Sequence, residues 1–595
     1  MKGGDIMLFG KSVNRYYFKF WYYFLFGAIA LVIVDFAQLE IPNITGFIID
    51  DINAKILTHE ALLQYILKLI GIIIIMFFGR FFWRINIFIC GHKIANDLRQ
   101  RMFKKMEYLD QTYFSENKTG AQMALYTNDL MTVRQCFSQA VILVVDSTFL
   151  GVLAFIKMFK LNAVLALIAA APLVILAVMG VVVKKYMRMK WEARQKAYSD
   201  LSDFAQENFS GFSVVKAFVK ETTELVAFNV LNKKNAEKNL EAARLSVIMS
   251  ICISMLISTI MLIIGGVGSF LVYQSKVTGV NYLSIGDLNR YISYFSSLVW
   301  PIMALSNLIT LTSQGKASLE RLDSVLKRDS AVKDAPDVIK DANLEGGIEF
   351  KNLTFNYPGV DEPTLKNINF KINKGESVGI IGRTGSGKTT IVDLLVRLYN
   401  VSEGSVFIDG YDIMKLPIKQ VRELISFVPQ DNFLFDDTVL NNIAFSKKEL
   451  SVEDARKYAK IAGVDGDIMD FPEQYQTIMG ERGVTLSGGQ KQRVSIARAL
   501  VKDSKVLILD DSVSAVDTKT EATILSNLNK LKGEKTFIII AHRVSTIQNL
   551  DKIILIDDGE IVSVGTHNEL YDNVQLYRDI VDLQQLEEQE VEVEL

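Results

Sequence analysis

Apolar residues are distributed unevenly along this sequence, and that asymmetry is its strongest constraint on fold. Up to about Phe295, long apolar runs alternate with charged stretches, whereas the part after about Gly346 has the pattern of a water-soluble α/β domain. A helix needs roughly 20 apolar residues to cross a bilayer. Six segments have about that length, namely Phe18–Leu39, Leu63–Ile89, Ala140–Phe159, Val164–Val183, Leu245–Val272 and Leu288–Ile309. The sequence therefore predicts a lipid-embedded domain of six helices followed by a domain in water.

The composition narrows the class of protein further. Of 595 residues, 50 % are hydrophobic and 22 % are charged, and the net charge is −2. Disordered chains are more polar than this, and a nucleic-acid-binding protein usually carries a basic excess, so we predict no nucleic-acid partner. Cys90, Cys136 and Cys252 lie in or next to apolar stretches, which predicts buried free thiols.

The distribution of Lys and Arg predicts the orientation of the membrane helices. These residues cluster at positions 93–118 and 184–196, whereas the loop at positions 50–59 is acidic. Because basic loops stay on the cytoplasmic side, both clusters and both chain termini should be cytoplasmic. Charged helix formers continue past the apolar runs, which predicts long helices with turning points at Phe114–Gly120 and Ser210–Ser213.

A complete phosphate-binding loop pattern follows the short apolar strand Ser377–Ile381 and precedes the helical periodicity of Thr390–Tyr399. Its glycines let backbone N–H groups converge on phosphates at a helix N-terminus. We expect Lys388 to reach the β- and γ-phosphates of a nucleotide and the Thr389 hydroxyl to bind Mg²⁺. The predicted nucleotide-binding residues here are Gly382, Arg383, Thr384, Gly385, Ser386, Gly387, Lys388, Thr389 and Thr390.

Two further motifs complete the nucleotide chemistry. The apolar strand Val506–Asp510 ends in a carboxylate, and we predict that Asp510 holds Mg²⁺. Leu486-Ser487-Gly488-Gly489-Gln490 opens a predicted helix, Lys491–Leu500, and so forms a second anion site. Because the first phosphate loop is already complete, this second site requires another nucleotide. The sequence therefore predicts a dimer with ATP between the subunits.

With these motifs in this order, the chain resembles a half-transporter of the ATP-binding cassette (ABC) exporter family over essentially its whole length. The resemblance implies a multidomain fold, with an all-α six-helix transmembrane domain followed by an α/β P-loop nucleotide-binding domain. We predict a transmembrane domain at residues 1–325, a linker at 326–346, the nucleotide-binding domain at 347–583 and an acidic tail at 584–595.

The resemblance also implies roles for residues outside the three motifs. Tyr357 matches the family's adenine-stacking aromatic residue, Gln430 the glutamine that senses Mg²⁺ and the membrane domain, and His542 the switch histidine at the γ-phosphate. The segment Thr477–Gly483 resembles the loop that touches the coupling helices, and Ser514–Asp517 the loop that communicates across the dimer. The two turning points resemble the coupling helices, the second of which docks on the partner's nucleotide-binding domain in this family.

One position departs from the family pattern. Asp511 follows Asp510 where the family has the glutamate that polarises the attacking water. The side chain is one methylene shorter, about 1.5 Å, and a displacement of about 1 Å can cost about 10²-fold in rate. We therefore expect slow hydrolysis at this ATP site. With Asp511 and an intact Leu486–Gln490 motif, the chain resembles the Asp-containing subunit of bacterial heterodimeric multidrug exporters, whose partner carries the glutamate. The alternative is that Asp511 works as the base with an adjusted backbone, and the retained His542 indicates only partial degeneration.

Acidic residues within the apolar segments point to a cavity or a partner helix, since charges in lipid are costly. At 1.5 Å per residue, Asp35 and Asp146 lie at similar depths. With Trp300 they predict a cavity for cationic amphiphiles, and interhelical hydrogen bonding is the alternative. Arg80 and Arg84 lie in the second apolar segment and could neutralise these acids.

The predicted function is ATP-driven efflux of amphipathic drugs or other hydrophobic compounds across a plasma membrane. ATP and Mg²⁺ are the implied cofactors, and the implied partners are the bilayer, a small amphipathic substrate and a second half-transporter subunit. The family resemblance indicates a bacterial cell. A lipid or peptide exporter, a homodimeric multidrug exporter, and a nucleotide-gated sensor that transports nothing stay open as alternatives.

Overall fold

The computed structural model describes the backbone of residues 11–280, 282–480, 483, 486–514 and 516–594, and their side chains except at residues 11–13, 170–185, 188, 305, 306 and 587–594. The chain divides into two compact units. The first comprises Met1–Met106 and Gly120–Lys327, and the second comprises Glu107–Thr119 and Arg328–Leu595.

The described part of the first unit is helical. Five of its helices are long and apolar enough to cross a membrane, namely Trp21–Asn53, His59–Met106, Thr119–Leu161, Glu221–Thr278 and Ile285–Lys327. They contain four of the six predicted segments entirely and most of a fifth, Phe18–Leu39, which starts before Trp21 at the end of the short helix Lys11–Lys19. The remaining segment, Val164–Val183, falls in the helix Ala163–Ser210, but its side chains from residue 170 onward lie outside the described residues.

The cysteines of the first unit follow the prediction at two of three positions. Cys90 and Cys136 are buried in one cluster with Tyr16 and Phe137. Cys252 is exposed on the helix Glu221–Thr278, so the prediction of a buried thiol is wrong there. The physical reason is that a membrane helix can present apolar residues to lipid, where exposure carries no hydrophobic penalty.

Short helices mark both predicted turning points. Gln111–Glu116 is capped by Asp110, whose carboxylate accepts from the Tyr113 N–H at 3.2 Å. This helix belongs to the second unit, where Glu116 pairs with Arg328 at 2.8 Å. The other short helix is Phe212–Ala217, which follows Gly211.

Two β-sheets organise the second unit. Their strands are Ile348–Phe355 (β1), Leu365–Ile372 (β2), Ser377–Gly382 (β3), Val406–Ile408 (β4), Tyr411–Asp412 (β5), Ile425–Val428 (β6), Val506–Asp510 (β7), Thr536–Ile540 (β8), Lys552–Asp557 (β9) and Glu560–Gly565 (β10). The four-stranded sheet has the order β2-β1-β4-β5 and is antiparallel. The six-stranded sheet has the order β10-β9-β3-β8-β7-β6, parallel from β9 to β6.

Strands β3, β7 and β8 are buried along their whole length. Their continuous apolar sequences are typical of parallel strands covered on both faces by helices. The helices of this unit from residue 388 onward are Lys388–Leu395, Ile418–Leu424, Val439–Ile443, Val452–Ile461, Asp465–Met469, Gly488–Val501, Thr518–Asn529, Val544–Ile547, His567–Asn573 and Gln575–Glu594. The predicted fold class, a helical membrane domain followed by an α/β domain, is confirmed.

The helix after the phosphate-binding loop is shorter than predicted. It ends at Leu395, before the expected end at Tyr399. Arg397 lies in the left-handed region with φ +55°, a conformation that terminates a helix. Its buried guanidinium donates to the carbonyl oxygen of Ile413 at 2.6 Å, which holds the chain in this turn.

The segment after the last membrane helix follows the surface of the second unit. The Ile339 N–H donates to the Lys415 carbonyl oxygen at 2.8 Å, and Asp334 accepts from the Ile418 N–H at 2.8 Å. At the other end of the unit, the helix Gln575–Glu594 extends into the predicted acidic tail.

Candidate functional site

The parallel register brings the predicted nucleotide residues to one edge of the six-stranded sheet. Gly382 at the end of β3 pairs with Ile556 of β9, and Asp510 at the end of β7 pairs with Ile540 of β8. His542 and Gln430 follow the ends of β8 and β6. In open α/β sheets, ligands bind at the carboxyl ends of the strands, so the geometry defines one candidate site.

The phosphate-binding loop is shaped by its glycines. Gly385 and Gly387 have φ +83° and +94°, values that strongly favour glycine. A Cβ at Gly382 would lie 1.9 Å from the Ile556 carbonyl oxygen, so a larger residue cannot fit there. The helix Lys388–Leu395 begins directly after Gly387, and its first N–H groups have no partner within the helix. A phosphate fits this position.

Lys388 is buried at the end of the phosphate-binding loop. Its Nζ donates to the carbonyl oxygens of Gly382 at 2.9 Å and Arg383 at 2.8 Å. Burial lowers the pKa of the Lys388 ammonium, and the charges of Asp510 and Asp511 oppose that shift. These hydrogen bonds hold the ammonium group against the loop that is predicted to bind the phosphates.

Asp510 is a buried carboxylate with an unused oxygen. The residue is 2 % exposed, and its Oδ2 has no hydrogen-bond partner among the described residues. Burial raises the pKa of the Asp510 carboxyl, the Thr389 hydroxyl bonded to it lowers the pKa, and Asp511 raises it again. A buried oxygen donor beside a hydroxyl suits a hard cation such as Mg²⁺, so these residues fit the predicted metal.

Asp511 is fixed through its main chain. Its φ of +47° lies in the left-handed region, which Asp tolerates better than most residues. Its N–H donates to the Ile540 carbonyl oxygen at 2.9 Å. Its own carbonyl oxygen accepts from Gln492 Nε2 at 3.2 Å and from the Ser514 hydroxyl at 3.0 Å. The carboxylate therefore projects from a well-anchored backbone position.

The second anion motif forms a capped helix start. The helix Gly488–Val501 begins at the glycines, earlier than the predicted start at Lys491, because Ser487 is the N-cap. The Ser487 hydroxyl accepts from the Gln490 N–H at 3.2 Å, and the Gln490 side chain accepts from the Ser487 N–H at 3.1 Å. This reciprocal capping leaves the N–H groups of Gly488 and Gly489 for an anion.

Tyr357 lies beside the phosphate-binding loop. Its hydroxyl is 2.9 Å from the Thr390 hydroxyl, and its ring contacts Tyr399 edge-on at 5.1 Å between centroids. The structure therefore brings the predicted adenine-stacking residue to the helix that carries the loop.

Two supporting residues had no signal in the sequence. Gln584 of the last helix donates to the His542 carbonyl oxygen at 2.6 Å and accepts from the Val544 N–H at 2.8 Å. Asp467 accepts from Gln490 Nε2 at 3.0 Å. Neither residue belongs to a motif, and only the tertiary fold brings them to the site. In the predicted loops Thr477–Gly483 and Ser514–Asp517, residues 481, 482 and 515 lie outside the described residues.

The three residues of the predicted membrane cavity lie close together within the first unit, where they also form an interhelical hydrogen bond. The Trp300 indole N–H donates to the Asp146 carboxylate, and the Asp35 carboxyl lies within hydrogen-bonding reach of Asp146. All three residues line one cavity of about 550 Å³.

Membrane-spanning helices joined to an α/β domain with a complete phosphate-binding loop define a membrane-embedded, ATP-binding protein. The model of the ABC transporter transmembrane region matches residues 24–302, and the ABC transporter model matches residues 365–514.

Relatives of known class share this organisation along most of the chain. The probable multidrug resistance ABC transporter ATP-binding/permease protein YheI of Bacillus subtilis is 33 % identical over 577 residues, 97 % of each chain. The multidrug resistance-like ATP-binding protein MdlA of Escherichia coli is 32 % identical over 97 % of this chain and 96 % of its own. The ATP-dependent lipid A-core flippase of E. coli is 32 % identical over 83 % of each chain.

A solved structure, that of a bacterial Atm1-family ABC exporter with ATP bound, superposes with a TM-score of 0.75 at 25 % identity over 96 % of this chain and 98 % of that one. The chain therefore belongs to the ABC transporter family and has the exporter fold. It is an ATPase coupled to transport across a membrane.

Proposed function

We propose that this chain is one half of an ATP-driven exporter of amphipathic compounds, paired with a non-identical subunit that carries glutamate at the position of Asp511. The observation that carries the proposal is Asp511 itself, beside a complete phosphate-binding loop and an intact Ser487–Gln490 motif. Three hydrogen bonds hold its main chain. The backbone cannot advance to offset the missing methylene without breaking them, which supports a weak base at this site.

The dimer then has two unequal ATP sites. One combines Lys388, Asp510 and Asp511 with the partner's signature motif, and binds ATP but hydrolyses it slowly. The other combines the partner's phosphate-binding loop and glutamate with Ser487–Gln490 of this chain, and supports rapid hydrolysis. Gly488 and Gly489 at the capped helix start supply N–H donors to the γ-phosphate there.

Within its own site, this chain binds and orients the nucleotide. Lys388 neutralises the phosphates, Tyr357 stacks on the adenine, and His542 contacts the γ-phosphate. Thr389, Asp510 and Gln430 would hold Mg²⁺, which neutralises charge on the phosphates when bound. The unused Oδ2 of Asp510 supports this assignment.

ATP binding is coupled to the membrane domain because ATP binds two states of the exporter with different affinity. ATP shifts the exporter toward a closed dimer only by binding that state more tightly. The short helix Phe212–Ala217 is flanked by exposed aromatic rings, with Phe209 79 %, Phe212 58 % and Phe218 70 % exposed. Such rings suit docking onto the partner's nucleotide-binding domain, and this contact would transmit the closure.

We place the exporter in the plasma membrane of a bacterium, with both termini and the nucleotide-binding domain in the cytoplasm. The basic stretches at residues 93–118 and 184–196 support this orientation, and the relatives described above are bacterial.

The substrate class rests on the relatives and on the cavity. Two relatives carry multidrug resistance in their names, and a third is a lipid A-core flippase. The acids and the Trp300 ring in the cavity favour amphipathic cations. The flippase relationship keeps a lipid as the second candidate, and transport of a labelled lipid in place of a cationic dye would favour it.

The test is ATP turnover of the purified chain, with Lys388→Ala as the blank. We expect turnover of the chain alone to equal the blank and to appear when a second half-transporter subunit is co-expressed. Stimulation of that turnover by amphiphiles supports export, whereas indifference to every compound favours a sensor. Brisk turnover by the chain alone would overturn the heterodimer.

A further inference from the structure

The cavity that contains Asp35 and Asp146, hereafter the acid cavity, lies among four membrane helices: Trp21–Asn53, His59–Met106, Thr119–Leu161 and Ile285–Lys327. Its apolar wall includes Leu31, Val34, Ile142 and Leu150. With a volume of about 550 Å³, it is large enough for a drug-sized molecule.

Asp35 is the most constrained acid in this cavity. It is 2 % exposed, and its Oδ2 accepts no hydrogen bond from an N–H or O–H donor in the described part of the chain. The polar group within hydrogen-bonding reach of the Asp35 side chain is the Asp146 carboxyl. Ionised carboxylates accept hydrogen bonds but donate none, so a hydrogen bond between the two groups requires that they share one proton.

The other charged groups of the cavity are Arg80 and Arg84, and the charge of Arg80 acts on Asp35 in opposition to the charge of Asp146. Arg80 Nη2 donates to the Gln38 amide oxygen at 3.3 Å, and the Arg84 guanidinium lies 5.4 Å from the centroid of the Trp83 ring. Neither arginine forms an ion pair with an acid in the part of the chain that the structure describes. The helix Ile285–Lys327 contributes three uncharged residues, Ser296, Ser297 and Trp300, to the lining. The shared proton therefore compensates the second carboxylate.

We propose that the acid cavity binds an amphipathic cation in exchange for the proton shared by Asp35 and Asp146. The O–H bond breaks, the proton passes to water, and the cation takes its place between two carboxylates. The net charge of the cavity is the same before and after the exchange. This proposal rests on the proposed export function and deepens it by naming the substrate class and the ion released.

The aromatic residues fit the same class of ligand. Trp300 is 49 % exposed, and its indole N–H is held by Asp146, which fixes the ring at the cavity wall next to the acid. Trp83 also lines the cavity, and its buried indole nitrogen has no hydrogen-bond partner among the described residues. Indole faces attract cations and flat aromatic groups. A planar aromatic cation can therefore stack on the indole rings while its charge lies near the acids.

Ethidium is the probe for the test, because its charge is permanent and any pH dependence must come from the protein. We expect its dissociation constant for the exporter in nanodiscs to fall about tenfold per pH unit while the acid pair is protonated. In weakly buffered solution, one proton should be released per ethidium bound. Asp35→Asn and Asp146→Asn should each abolish the pH dependence and the release, whereas Glu60→Gln, an exposed acid at the start of the second membrane helix, should change neither.

The outcomes separate this proposal from the export function. A flat pH profile, proton release that survives both variants, or no ethidium binding at any pH overturns the exchange. ATP-driven ethidium transport by inverted vesicles with a flat profile would leave export standing without the exchange. Linked binding and proton release without ATP-driven transport would support the exchange and overturn export of this class of compound.

Discussion

At the residue scale, the length of one side chain is proposed to set the rate of ATP hydrolysis. Asp511→Glu adds the methylene that the site lacks while the main-chain hydrogen bonds to Ile540, Gln492 and Ser514 stay in place. In a complex whose partner carries glutamine in place of its glutamate, we expect turnover to rise about 10²-fold, measured by phosphate release at saturating ATP. Asp511→Asn is the matched control and should stay at the wild-type level. An unchanged rate for Asp511→Glu would mean that side-chain length is not what limits hydrolysis.

Asp510, the proposed Mg²⁺ ligand, is expected to lower the stability of the nucleotide-free protein. Burial raises the pKa of its carboxyl, so ionising the group destabilises the folded state, and this cost is complete above the raised pKa. Below the pKa of the unfolded chain, the group is protonated in both states and the cost vanishes. Asp510→Asn should therefore raise the stability of the nucleotide-free protein at neutral pH by about 1 kcal/mol and abolish Mg²⁺-dependent turnover. Thermal unfolding in EDTA would measure the first effect, and a lower Tm would contradict the argument.

At the scale of elements, the last helix is positioned to hold the switch region after β8. Gln584 bonds the main chain of both His542 and Val544. Gln584→Ala removes both hydrogen bonds. In the complex with Asp511→Glu in this chain and glutamine in place of the partner's glutamate, we expect it to lower turnover about tenfold, about 1.4 kcal/mol, with ATP affinity unchanged. Gln575→Ala is the control, because Gln575 bonds only Asp579 of its own helix among the described residues. Equal losses in the two variants would point to general destabilisation.

The elements also show which parts of the fold a sequence can predict. Strand β7 and the phosphate-binding loop were predictable because a buried strand and a glycine-rich turn leave local patterns. The early end of the helix Lys388–Leu395 was not, since it depends on a tertiary hydrogen bond from Arg397 to Ile413. The same limit applies to Gln584, whose partners are far away in sequence. Asp35 and Asp146 were paired by depth alone, whereas their shared proton required the contact.

At the scale of the whole molecule, we propose that the first unit binds the transported compound and the second unit binds ATP. The acid cavity lies entirely in the first unit, and the nucleotide residues lie entirely in the second. Communication between two such sites requires a state that both ligands favour. Ethidium and ATP should therefore alter each other's affinity by the same factor, and titrating each in the presence of the other would measure it. Unequal factors would show that one titration had not reached equilibrium.

Two single substitutions in this chain distinguish the proposed unequal dimer from a homodimer. Gly488→Asp places a carboxylate at the capped helix start, where this chain completes the rapid site, and should abolish turnover of the two-subunit complex. Asp511→Asn alters only the slow site and should change the same turnover less than about twofold, since that site contributes little to the rate. In a homodimer, both substitutions fall in every site and both should abolish turnover. Equal and severe losses of turnover in the two variants would therefore establish two equivalent sites. A large difference between the variants would establish two unequal sites, one with this chain's signature motif and the other with its weak base.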